Sequence, residues 1–331
     1  MNKKLIALAV AAVASTSVSA AEIFNDGTSS LAIGGRAEAR AAIKDGDVND
    51  NSRVRLNVMG TTQIAEGAYG IGFFEQEFTT NDALNKNGND ETRYLFAGIG
   101  SDYGLVTYGK NDGSLGMITD FTDIMAYHGA GASEKLTVAD RTDNNFAYMG
   151  EFGGLTVKAN YVSDTVNEKT GVEIRNGGYS LGAVYAMENG LAMGLGYADQ
   201  GKDTLSIKEA KEESQIQAAV SYTFGDFYVA ALYKDGEEQK AGVKTDLMGY
   251  EFAAAYTMGQ TKFTTTYNKA ESETGSVKKD TYDSVAIDAT HFFNDNFRAY
   301  ASYNFNLLDE KDVAYKLNAE DELVFGLRYD F

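Results

Sequence analysis

The chain has 331 residues, with 29 Lys and Arg against 48 Asp and Glu, two His, 35 Gly, 21 Tyr and 18 Phe, and it contains no Cys, Pro or Trp. A net charge of −19 argues against a nucleic-acid partner, because phosphate binding needs a basic footprint, and the lack of cysteine removes disulfides and thiolate metal sites. The lack of proline, where an ordinary chain carries about 5%, suits long hydrogen-bonded strands, because proline deletes a donor from the ladder.

In chain order, Lys3 and Lys4, the apolar run Leu5 to Ala14 and the small residues Val18-Ser19-Ala20 predict a signal peptide over residues 1–20. Residues 21–331 are then the exported product, and losing the two lysines takes its charge from −19 to −21. The leader's apolar run is shorter than the roughly 20 residues of a spanning helix, and no later stretch reaches that length. From Ser29 onward the pattern is period two over stretches of about ten residues, the length of a strand tilted across a membrane. In the last strand Leu323, Phe325, Leu327, Tyr329 and Phe331 share one parity, and Val324, Gly326, Arg328 and Asp330 the other. One face can meet lipid and the other water. Leu155, Val157, Ala159 and Tyr161 repeat the pattern, as do Ile216, Ala218, Val220, Tyr222 and Phe224.

Tight turns are expected near Glu66-Gly67, Ser101-Asp102, Gly153-Gly154, Glu188 to Gly190, Gly225-Asp226, Met258-Gly259 and Asn294-Asp295. Long polar loops are expected at 44–52, 80–91, 111–140, 164–176, 199–213, 235–246, 270–280 and 309–320. Short and long connections take turns, which is the asymmetry of an outer-membrane barrel and has no counterpart in a soluble sandwich. The predicted fold is therefore all-β, a transmembrane antiparallel barrel of about 16 strands, large enough for an aqueous lumen. Tyr and Phe near strand ends, such as Tyr233, Tyr267, Phe292 and Phe293, suit interfacial girdles. The third loop, 111–140, carries Leu115, Met117, Ile118, Phe121, Ile124 and Met125. That much apolar surface is predicted to fold against the inner wall and narrow the pore.

Arg36, Glu38 and Arg40 share one parity on the first strand, as do Arg53 and Arg55 on the second; they must face the lumen, because Arg in lipid near the midplane costs roughly 2 to 4 kcal/mol. With Arg93 and Arg141 they suggest a basic wall, although pairing with Glu38, Glu75 or Glu77 would also account for them. Across from it the third loop offers Asp112, Asp120, Asp123 and Glu134. Opposed charges would set a transverse field in a watery constriction, and the acidic excess predicts a preference for cations. Gly104 to Lys110 imitates the start of a phosphate-binding loop, but Asn111 stands where Ser or Thr is needed and the stretch reads as a strand. Asp45, Asp47 and Asn49 open a calcium-loop spacing that Leu56 then breaks. His128 and His291 are too few for a metal cluster, so neither cofactor nor catalytic constellation is expected, and His128 reads as an ordinary loop residue.

Several segments resemble the trimeric general-diffusion porins of Gram-negative outer membranes. They are Ala21-Glu22-Ile23-Phe24-Asn25, Arg55-Leu56 with Gly60 and Thr62-Gln63, Thr92-Arg93, Phe96-Ala97-Gly98, Tyr108 to Asn111, Thr122-Asp123, and the ending Tyr329 with Phe331. The resemblance implies a 16-stranded homotrimeric barrel with an inward-folded third loop. It also implies a basic cluster carried by Arg36, Arg55, Arg93 and Arg141, with Arg40 and Arg53 beside it, and Asp123 on the acidic side. Where the family has Pro-Glu-Phe-Gly-Gly this chain has Ala126-Tyr127-His128-Gly129-Ala130, which leaves Glu134 as the candidate acid beyond Asp123. Tyr329 and Phe331 would form the signal read by the outer-membrane barrel assembly machinery, and the outward Ala37, Ala39 and Ala41 would suit a subunit contact. Expected partners are further copies of the chain, small hydrophilic solutes, and lipopolysaccharide with its divalent cations. A substrate-selective channel should carry a run of lumen-facing aromatics, which is not found in one register. An adhesin acting through acidic loops is the other alternative.

Overall fold

The computed structural model describes residues 20–331 except 80–89, 167–168, 170–172, 202–210, 311–312 and 314, so the predicted leader and most of the loops at 80–91 and 199–213 lie outside the described residues. The wall strands are β1 (Ser29–Lys44), β2 (Arg53–Ala65), β3 (Ala68–Thr79), β4 (Glu91–Ser101), β5 (Gly104–Asp112), β6 (Arg141–Phe152), β7 (Leu155–Val162) and β8 (Gly178–Ala186). They continue as β9 (Leu191–Gln200), β10 (Lys211–Phe224), β11 (Phe227–Lys240), β12 (Val243–Met258), β13 (Thr261–Thr274), β14 (Val277–Phe292), β15 (Phe297–Asn306) and β16 (Glu322–Asp330). Every neighbouring pair is antiparallel, and β16 returns to β1 with Asp330 opposite Arg36 and Glu322 opposite Lys44. A closed 16-stranded barrel results. Closure leaves no unpaired edge where hydrocarbon could not hydrogen-bond it.

β16 covers only part of β1, and the first described residues finish the line. Gly35 and Phe331 exchange backbone bonds of 2.9 and 3.0 Å. Immediately below, the segment Ala21–Asn25 pairs with β1, from Ala21 opposite Ile33 to Asn25 opposite Ser30. A Cβ on Gly35 would lie 2.2 Å from the Arg55 carbonyl and 2.8 Å from the Phe331 ring, so only glycine lets the terminal aromatic seat there.

The alternation reads out as expected. Phe325, Leu327 and Tyr329 are about half exposed while Val324 and Asp330 are buried, and Ile216, Val220, Tyr222 and Phe224 are likewise outward. All seven tight turns form, several around a glycine at positive φ such as Gly67, Gly153 and Gly225. Three of the eight predicted loops are corrected. The ladder runs on through them: Ala41–Lys44 pair with Asp47–Asp50, β11 with β12 up to Lys240 opposite Val243, and β13 with β14 up to Thr274 opposite Val277. Beyond the membrane a strand has water on both faces and loses its apolar parity, so a polar hairpin and a loop look alike in sequence. The local signs are the tips Asp45-Gly46 and Ala241-Gly242, with both residues at positive φ, and Gly275, also at positive φ.

The third loop enters the barrel as predicted. A one-turn helix, α1 (Gly116–Thr119), and the return limb bury Leu115, Ile118, Phe121, Leu136 and Val138 against Ala198, Ala219, Ala230 and Ala253 on β9 to β12. Small inward residues make room for it. A Cβ on Gly182 would stand 2.9 Å from the Ser114 carbonyl, and one on Gly249 would stand 2.1 Å from the Ala132 carbonyl.

Candidate functional site: the charged constriction

The inward parity of β1 to β4 carries interlocked ion pairs. Arg53 Nε is 2.8 Å from Glu38 and its Nη1 3.3 Å from Glu77; Arg55 also binds Glu77, and Arg93 Nε is 2.7 Å from Glu75. Glu38 and Glu75 are almost fully buried behind the arginines. Wall pairing and lumen lining, read from sequence as alternatives, are thus the same arrangement. Holding Arg93 inward takes a β-bulge: the register slips at Glu75/Gln76, so Tyr94 lies opposite Glu75 and Thr92 opposite Gln76, and Arg93 is the extra residue. Arg36 has the loosest contact of the group, 3.9 Å to Glu38.

Arg36, Arg53, Arg55, Arg93 and Arg141 line one cavity of about 810 Å³ together with Asp112, Asp120 and Asp123. Two expected members sit elsewhere. Arg40 donates to the Asn51 carbonyl at 2.7 Å and lies 5.2 Å over the Tyr127 ring, gripping the loop tip. Glu134 lines an adjoining hollow with Asp123, Lys135 and Arg141, while its carbonyl accepts from Lys234 Nζ at 2.8 Å. Arg141 reaches Glu91 at 3.1 Å and covers Tyr94, whose hydroxyl donates to Asp112 at 2.9 Å. Asp120 and Asp123 open onto the lumen but are enclosed by the barrel. Confinement away from bulk water, with Asp123 alongside, lifts the Asp120 carboxyl to about 6, and confinement likewise raises that of Asp123.

Other charged groups in the cavity were not singled out from sequence: Lys135, Lys158, Lys262, Arg298 and Arg328. Lys158 carried a usable signal, since it falls between the outward Val157 and Ala159. His128 is no ordinary loop residue, because the loop crosses the lumen and docks there. Its Nδ1 lies 2.7 Å from Ser302 Oγ and its Nε2 3.1 Å from Glu322, while Tyr127 accepts from Asn51 at 2.8 Å. Inward aromatics do exist, with Phe73 5.7 Å from Tyr94 and 5.5 Å from Phe96, and Tyr69 nearby. Phe73, Tyr94 and Phe96 are buried against one another and Tyr69 against Ile71 and Leu105, while Tyr127, Phe292 and Tyr300 line the cavity from separate elements.

A Gram-negative porin family profile matches residues 7–311. The chain is a Gram-negative porin. It is 52% identical to porin-like protein L of Photobacterium profundum and 49% identical to outer membrane protein U of Vibrio parahaemolyticus, in each case over the whole of both chains. The porin fold also matches solved structures. OmpF of Salmonella typhi, in complex with daunomycin, superposes with a TM-score of 0.80 at 21% identity, covering 94% of this chain and all of that one. The trimer form of OmpT from Vibrio cholerae gives 0.74 at 18% identity, over 92% and 100%. This porin is accordingly an outer-membrane β-barrel.

Proposed function

We propose that this porin passes ions and small hydrophilic solutes by passive diffusion, with the narrowest point between the arginines of β1 to β4 and β6 and the carboxylates of the third loop. The observation that carries this reading is the meeting of Arg36, Arg55, Arg93 and Arg141 with Asp120 and Asp123 in one water-accessible cavity. Opposed charges across a narrow aqueous gap orient dipolar solutes and penalise apolar ones, which lose hydration without a compensating partner. Such a channel performs no covalent chemistry.

A cation preference belongs to the same proposal, and its source is not the constriction alone. Ten Lys and Arg and six Asp and Glu line the central cavity, with several of the bases matched by Glu75, Glu77 and Asp330 just behind. The acidic excess of the chain must act mostly from the rim, where Glu237, Glu238 and Asp246 stand on the tall β11–β12 hairpin. Rim charges act through water, so the preference fades as salt shortens the Debye length.

Three copies are proposed to associate, as in the OmpT trimer form, with Ala37, Ala39 and Ala41 on the outward face of β1. Phe331, seated on Gly35 with Tyr329 stacked at 6.1 Å, would serve the assembly machinery as its C-terminal signal. The outward carboxylates would meet lipopolysaccharide through divalent cations. The test is single-channel current in a planar bilayer under a salt gradient. Large openings that close in three equal steps and a reversal potential favouring cations are expected. Silence would overturn the channel, and an anion-favouring potential the charge assignment.

A further inference from the structure

Most wall side chains that hold the third loop touch one limb at one point. Gln217 donates to the Ser133 carbonyl at 3.1 Å, and Tyr228 to that of Phe121 at 2.7 Å. Two wall side chains bridge both limbs: at the base of the loop Asn160 accepts from the Ser114 N–H at 3.2 Å and donates to the Val138 carbonyl at 2.8 Å, and nearer the tip the bridge is Glu251, on the inward parity of β12. Its Oε2 accepts from the Thr122 hydroxyl on the outbound limb, and its Oε1 accepts from the Ala132 backbone N–H on the return limb at 2.8 Å. Its side chain is completely buried behind the loop. The same strand approaches the same point a second time, because Gly249 has room for no more than a hydrogen where the Ala132 carbonyl passes.

Thr122 and Ala132 form the neck of an eyelet that contains Asp123, Tyr127 and His128. Beyond the neck the tip is held by separate contacts: His128 with Ser302 and Glu322, Tyr127 with Asn51 and Arg40, the Ile124 carbonyl accepting from Lys262 Nζ at 3.3 Å, and Met125 Sδ accepting from the Thr266 hydroxyl at 3.2 Å. One carboxylate therefore closes the neck by accepting from both limbs at once, and a buried acceptor that loses its donors is costly to leave unmet. We infer that Glu251 is the positioning residue that pins the neck of the third loop and thereby holds Asp120 and Asp123 at a fixed distance from the arginine wall.

The inference rests on the channel reading above, and wild-type porin in the same bilayers separates the two. The variants are Glu251→Ala, Glu251→Gln and Thr122→Val, each checked for the heat-modifiable gel mobility of a folded barrel. Glutamine can still accept from Ala132 N–H and donate to a reoriented Thr122 hydroxyl, so Glu251→Gln should conduct as steadily as wild type. Glu251→Ala should switch among subconductance levels about tenfold more often, the factor carried by about 1.4 kcal/mol. Thr122→Val, which leaves the wall untouched, should move in the same direction by less and keeps the test open if Glu251→Ala does not fold. Steady currents from Glu251→Ala or Thr122→Val would overturn the inference. So would a glutamine variant as unsteady as the alanine one, since charge rather than hydrogen-bond geometry would then be at work. A silent wild type would instead remove the channel reading on which the inference stands.

Discussion

Two arcs of the barrel share one outer face and have opposite inner faces. Along β1 to β4 the inward positions hold Arg, Glu, Tyr and Phe, large groups that fill their own side of the lumen and leave charge at the water boundary. Along β8 to β12 many of them are small, such as Gly182, Gly194, Gly196, Ala198, Ala219, Ala230 and Ala253, and between larger groups such as Gln217, Tyr228 and Glu251 they leave a shallow bay that the third loop fills with Leu115, Ile118 and Phe121. Lipid asks the same of both arcs from outside. The inner faces differ because one is finished by its own side chains and the other by a separate segment, and the pore is the gap between them.

The sharpest test of the comparison removes the filling from the bay. Ile118 is fully buried between loop and wall, so Ile118→Ala should cost about 2 to 5 kcal/mol, read as a lowered urea midpoint of the folded barrel in detergent, together with unsteady conductance. The arginine arc should yield less. Arg93→Ala takes from the buried Glu75 its charged donor and leaves it the long 3.5 Å contact from Asn57, a loss of about 1 to 3 kcal/mol in the same assay, with the third loop undisturbed. If Arg93→Ala proved as destabilising as Ile118→Ala, the two arcs would not be energetically distinct.

Selectivity is a smaller energy. Asp120→Asn with Asp123→Asn should lower cation over anion permeability by about two- to sixfold, the range a unit charge exerts through water at about 8 to 4 Å, without moving the urea midpoint downward. Reversal potentials before and after the change provide the check. Acidification should produce the smallest effect. Because the Asp120 carboxyl sits near 6, above its ordinary range, it gains its proton as pH falls from 7 to 5, the acidic side loses charge, and cation preference declines. For stability the sign is the reverse of a salt-bridged carboxylate: the raised value disfavours the folded state above pH 6 and relaxes as pH falls towards 4. Asp120→Asn should flatten the pH dependence of selectivity between 7 and 5; an unchanged slope would assign it to another group.

Much of this was legible residue by residue. Arg36, Arg53 and Arg55 could be placed in the lumen because strand parity and the cost of arginine in lipid leave one choice. Arg93 could not be placed by parity, since a bulge re-aims it; its place in the basic wall rested on the clustering of arginines along neighbouring strands and on the family resemblance. Arg40 has the parity of a lining residue, yet it is spent on Tyr127, a partner 87 positions away in a loop whose course no local pattern reveals. The hairpins at 235–246 and 270–280 were read as loops because strands standing in water lack a dry face. His128 and Glu251 looked unremarkable for a related reason: each acquires its role from a contact across the lumen.

The sequence by itself determined the strands, their tight turns, the outward face and the compartment, because lipid and water act on each residue locally and leave a period-two record. Only the tertiary structure decided which arc receives the third loop, which arginine pairs with which glutamate, and which carboxylates stay open to the lumen. Those outcomes depend on strand register, bulges and the course of the third loop across the lumen, which bring together side chains from 15 positions apart, as Arg53 with Glu38, to 129 apart, as Thr122 with Glu251, and no local periodicity encodes such meetings.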